Sequence, residues 1–184
     1  MIRPILINGL IAGLVVGAPM FLMGVTLGGH IEGPLGPTVG YALMLLAFTT
    51  VFLAVKRHRD VVQGGVIRFW PAFGLGLAIS AVASTVYVGA WELTLAVTGM
   101  DFAGDYVAGL VAEKRASGVA GAELAAFEAQ MEQFRRDYAN PLMRLPMTFS
   151  EIFPVGVLAS LITAALLRDA RFLPARRAAD IAQT

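Results

Sequence analysis

Residues 71–97, PAFGLGLAISAVASTVYVGAWELTLAV, carry a single charged side chain, Glu92. As a helix rising 1.5 Å per residue the stretch is roughly 40 Å long, more than enough for a hydrocarbon core of about 30 Å. It reads as a membrane span. The chain around it agrees, because 57% of its 184 residues are hydrophobic and only 15% are charged, a balance outside the soluble norm.

Three further runs have the length and polarity of spans: Ile5 to Leu27, interrupted by Pro19; Val39 to Val55; and Phe149 to Leu167, with Pro154 inside it. The first follows a lone Arg3. It is too long for a signal-peptide core and no A-x-A site follows, so it reads as an uncleaved first span. The expected fold is therefore all-α, with four transmembrane helices. Bases fix the orientation. Lys56, Arg57, Arg59 and Arg68 face one acid, Asp60, between the second and third spans, and Arg168, Arg171, Arg176 and Arg177 follow the fourth. Both clusters belong in the cytoplasm, and so do both termini. The loop GGHIEGPLGP (28–37) has no base, and the segment after Gly99 carries seven acids against five bases, so both are expected outside. The divisions that follow are residues 1–99 for three spans, 100–147 for an extramembrane, periplasmic helical hairpin, 148–168 for the fourth span and 169–184 for a basic cytoplasmic tail.

Small residues at four-residue intervals mark faces where backbones approach closely: Gly9, Gly13 and Gly17 in the first span, Gly76, Ser80 and Ser84 in the third, Gly156 and Ser160 in the fourth. Spacing alone leaves open whether these faces pack within or between chains. In the hairpin, Leu124, Phe127, Met131, Phe134 and Tyr138 are spaced three and four apart, an apolar seam too short for an independent coiled coil. It must be buried against the first arm, the bundle or a neighbouring subunit. Ser117-Gly118 closes the hairpin and Asn140-Pro141 ends its second arm.

Two acids lie inside apolar runs, Glu92 and Glu151. Glu92 falls about 10 Å below the outer end of its span and Glu151 about one turn below the outer end of the fourth. In one reading they are interfacial acids, hydrogen-bonded to helix ends or paired with Arg144 or His30. Glu151 would then sit in the first turn of its helix, with Thr148 or Ser150 as caps. In the other reading they face each other across an outward vestibule and bind a cation or proton.

No catalytic, cofactor-binding or metal-ligating set is found. Cysteine is absent, the two histidines His30 and His58 fall on opposite sides, and there is no nucleophile elbow or P-loop. No cofactor is expected. The net charge of +1 gives no reason to expect a nucleic-acid partner.

The motifs NGLIAGL (8–14), GYALMLLAF (40–48) leading into VKRHRD, GGVIRFWPAFGLGL (64–77), DYVAGLVAEKRASG (105–118), YANPL (138–142) and MTFSEIFPVG (147–156) occur in the order seen in one family. In these the chain resembles the bacterial integral membrane proteins called domain of unknown function 4199. The resemblance implies a multi-pass protein of the bacterial inner membrane, and no activity. The expected function is that of a non-enzymatic protein that self-associates, as a homo-oligomer, or binds a membrane partner protein, with membrane lipids around it. The alternative is a small-solute, cation or proton transport or channel subunit using the acid pair.

Overall fold

The computed structural model describes residues 2–27 and 35–175, and within them the chain is helical, without strands. Six helices follow one another: α1 (Ile2–Leu27), α2 (Leu35–Arg57), α3 (Phe69–Thr98), α4 (Phe102–Ala116), α5 (Gly121–Ala139) and α6 (Pro141–Leu167). A π-helical turn, His58–Val62, continues α2. Among the described residues three helical stretches are long and apolar enough to cross a membrane: Ile2–Thr26, Phe69–Thr98 and Pro141–Leu167. α2, expected as another span, packs on α1, α3 and α6.

Local sequence explains where the long helices begin and end. α3 stops at Gly99, whose φ of 64° is open to glycine at little cost and lets its N–H reach the Leu95 carbonyl. α6 starts where Asn140 accepts the Leu142 N–H on its side-chain oxygen, 3.0 Å away, and Pro141 occupies the first turn, where its missing N–H costs nothing. Helical structure thus begins at Pro141, ahead of the boundary at 148 read from hydropathy. A consequence is that Glu151 lies in the third turn of α6, away from the helix terminus. Ser150 does not cap; its hydroxyl donates to the Met147 carbonyl.

Contacts between residue pairs set the directions of the helices. Gly9 lies against Val82, Gly13 against Val86 and Gly17 against Ala90, so α1 and α3 run parallel, and the glycine row of α1 receives a four-residue row of α3. Gly76 meets Ser160 and Ser80 meets Gly156, so α6 runs antiparallel to α3. The close approach also satisfies hydroxyls that lipid would leave unpaired. Ser80 Oγ donates to the Gly156 carbonyl at 3.3 Å, Ser160 Oγ to the same carbonyl at 2.7 Å, and Ser84 Oγ to the Ser80 carbonyl at 2.9 Å.

A side chain on the α1 row has no space. A Cβ built at Gly13 would sit 2.5 Å from Val86 Cβ and 2.9 Å from the Ala83 carbonyl oxygen. Gly13→Ala is therefore expected to cost about 1–3 kcal/mol through overpacking. Gly74→Ala, with nothing within 4 Å, should be neutral. Thermal unfolding of the two variants in the same detergent checks the contrast.

Candidate functional site

The α3–α6 contact line continues to the hairpin end of the bundle and finishes in an ion pair. Gly76, Ser80, Ser84, Val88 and Glu92 form a four-residue row on α3; Arg144, Thr148, Ile152, Gly156 and Ser160 form the matching row on α6. The register that sets Ser80 on Gly156 sets Glu92 on Arg144, roughly 18 Å further along. The pair is bidentate: Arg144 Nε donates to Glu92 Oε1 at 2.7 Å and Nη2 to Oε2 at 2.5 Å. Their side chains are 16% and 27% exposed for Arg144 and Glu92, so little water competes for them.

Arg144 is oriented in turn by the end of α5. Its Nη1 donates to the Tyr138 carbonyl at 3.3 Å and its guanidinium lies 5.7 Å from the centre of the Tyr138 ring. Trp91, next to Glu92, donates its indole N–H to the Tyr138 hydroxyl at 2.6 Å. An aromatic ladder extends from there: Trp91 meets Phe102 edge-on at 4.9 Å, Phe102 stacks on Tyr106 at 5.9 Å, and Phe134 lies between Tyr106 and Tyr138. Glu92, Trp91, Tyr138 and Arg144 thus fasten the α4–α5 hairpin to the bundle at a single knot. Tyr138 is 5% exposed; burial, aided by the charge of Glu151, raises its phenol above the usual 10.0, so it remains a neutral hydrogen-bond partner.

Beside this knot opens a cleft of about 580 Å³, lined by Glu92, Gly99, Asp101, Phe102, Arg135, Arg136, Tyr138 and Arg144 among others. Asp101 is committed to structure, its Oδ1 accepting the Gly104 N–H at 3.0 Å as the cap of α4. Arg135 is held by Glu132 at 3.0 Å. The cleft is large enough for a ligand, yet most of its polar groups already have partners.

The structure brings Glu92 to Arg144 and not to Glu151. No ion pair to Glu151 occurs among the described residues. His30, the other partner considered for the acids, lies outside the described residues. The hairpin seam is turned onto α4 of the same chain: Tyr138 is buried, Phe134 touches Tyr106, Phe127 lies under the Lys114 ammonium at 5.7 Å, and Leu124 and Met131 are half-buried.

At the opposite end of the bundle lies a site that sequence reasoning assigned only to orientation. Arg59 has no exposed surface. Its Nη1 and Nη2 donate to the Phe172 and Leu173 carbonyls at 2.9 and 2.5 Å, and its Nε to Asp60 at 2.7 Å. Asp60 also takes Lys56 at 2.5 Å. Burial opposes the Asp60 charge, but the two cations prevail and hold its carboxyl below the ordinary range. The stabilisation it contributes is therefore complete above the usual carboxylate range and is lost only as pH falls through the lowered value. The backbone that permits this latch is glycine-dependent: Gly64 and Gly65 have φ of 66° and 93°, and the Gly65 N–H reaches back to the Arg59 carbonyl at 2.9 Å. Nothing in the run KRHRD distinguishes the buried arginine from its solvated neighbours.

No curated protein and no solved structure matches the chain. One family pattern matches residues 7–169, and the chain belongs to that family, described as protein of unknown function (DUF4199).

Proposed function

We propose that this chain is a non-enzymatic integral protein of the bacterial inner membrane, with four spans and both termini in the cytoplasm, that presents its helical hairpin on the periplasmic side to a second copy or to a membrane partner. The observation that carries the reading is the Glu92–Arg144–Tyr138–Trp91 knot. A hairpin fastened to the bundle in this way is ordered before it binds, so association loses less conformational freedom than docking of a loose segment. The orientation is supported by Lys56, Arg57, Arg59, Arg168 and Arg171, which gather at the end opposite the hairpin.

The same knot weighs against the transport alternative. A proton- or cation-carrying Glu92 would have to give up a bidentate arginine at every cycle.

Native mass spectrometry of the full chain in nanodiscs tests the proposal. The wild type is expected to run as a defined oligomer or with a bound membrane protein. Ala108→Glu combined with Ala112→Glu, both exposed on α4 and one turn apart, should release the partner while leaving helix content unchanged. Glu151→Gln should leave the assembly intact. A wild-type chain that is monomeric and alone would sink the reading.

A further inference from the structure

At the end of the bundle away from the hairpin, α1 and the end of α2 leave a groove of about 400 Å³ between them. Its walls are apolar: Ile7 and Ile11 of α1 are each 47% exposed, and Val62 of the π-helical turn is 67% exposed. Its rim is basic, with Arg3 on one side and Arg57 and His58 on the other. A small recess of about 20 Å³ leads from Pro4, Asn8, Ala54 and His58 towards Leu75 and Ile79 of α3, so the groove reaches into the bundle.

The charges around this rim do not cancel. The nearest acid in sequence, Asp60, is engaged by Lys56 and by Arg59. Arg3 and Arg57 are exposed and form no ion pair among the described residues. No acid lines the groove. Asn8 does not compete for a ligand either, since its amide donates to the Pro4 carbonyl at 2.7 Å. Gln63 lies 3.4 Å from His58 Nε2, which holds the imidazole at the rim.

An apolar slot of ligand size under a cluster of bases is complementary to one class of molecule. We infer that the groove between α1 and α2 is a binding site for an anionic phospholipid, its phosphate between Arg3 and Arg57 and one acyl chain along Ile7 and Ile11. Two arginines on opposite walls hold a phosphate by charge-assisted hydrogen bonds that a zwitterionic headgroup satisfies less well, because its own cation is repelled by the same rim. The bound lipid would seal the gap between the two helices, whose exposed apolar side chains need a cover. The inference rests on the membrane reading of the chain and is independent of what the hairpin binds.

The test uses the full chain in detergent, analysed by native mass spectrometry during titration with phosphatidylglycerol, with phosphatidylcholine of the same acyl chains, or with inorganic phosphate. One phosphatidylglycerol per chain is expected to be retained about tenfold more tightly than phosphatidylcholine. Arg3→Gln with Arg57→Gln should abolish that preference without changing the unfolding temperature, and Arg3→Lys with Arg57→Lys should restore part of it. Arg168→Gln with Arg171→Gln, outside the groove, should leave it intact. Equal retention of the two lipids, or a preference that survives the Arg3 and Arg57 changes, overturns the site. Occupation by inorganic phosphate as tightly as by phosphatidylglycerol overturns the lipid assignment, and a second copy of the chain held through this face overturns it as well. A chain that retains no lipid and does not enter nanodiscs of either composition overturns the membrane reading and this site together.

Discussion

Arg59→Met is expected to lower the unfolding free energy by about 3–5 kcal/mol, the range seen when one partner of a buried charged network is removed. The side chain has no contact with solvent, and its three hydrogen-bonded partners, the Phe172 and Leu173 carbonyls and Asp60, would lose a donor that water, reaching the exposed Leu173 and the partly exposed Asp60, replaces only in part. Asp60 would keep Lys56, but the segment after α6 would lose its tether. Arg59→Lys should recover only part of the loss, because one ammonium cannot span two successive carbonyls and a carboxylate as the guanidinium fork does. The measurements are unfolding in mixed micelles and limited proteolysis after Leu167. Arg57→Met, two residues away on the opposite side of the helix and exposed, is the control and should be near neutral.

Breaking the knot at the other end should have the next largest effect. Arg144→Met is expected to cost about 2 kcal/mol, less than for a fully buried pair because Glu92 and Arg144 retain some access to water. Glu92→Gln should cost less again, since the amide still accepts one hydrogen bond. Changing both residues together should cost less than the sum of the two single changes, which is the signature of direct coupling. Loss of Arg144 also removes the donor to the Tyr138 carbonyl, so the hairpin should loosen before the bundle does. Hydrogen exchange of residues 102–139 against that of α3 distinguishes the two. Equal effects on hairpin and bundle, or strict additivity, would remove the basis for treating the knot as the hairpin's mount.

The two charged networks differ in how far they could be foreseen. Glu92 stands four residues beyond Val88 and eight beyond Ser84, on the small-residue row of α3, and Arg144 stands on the row of Gly156 and Ser160. Once those rows are known to meet antiparallel, the ion pair follows from the 3.6-residue period. The spacing was present in the sequence, but the register was not. With Pro146 and Pro154 in α6, hydropathy places the start of that helix after Arg144, which removes Arg144 from the same helix and hides the match. Asn140 and Pro141, which end α5, are also the residues that start it.

Composition and apolar runs were enough to determine that this is a helical chain with helices long and apolar enough to cross a membrane, because hydrocarbon requires long stretches in which every backbone group is bonded within the segment. The spacing of Gly9, Gly13 and Gly17 likewise determined that one side of α1 would lie close to another backbone. Which backbone it met, that Glu92 would take Arg144 and not Glu151, that the seam of α5 would turn onto α4, and that Arg59 alone of its basic run would be buried, were decided by tertiary structure. Each depends on distance between segments far apart in the chain, and a charge or a small residue has the same local preference whichever partner the fold brings to it.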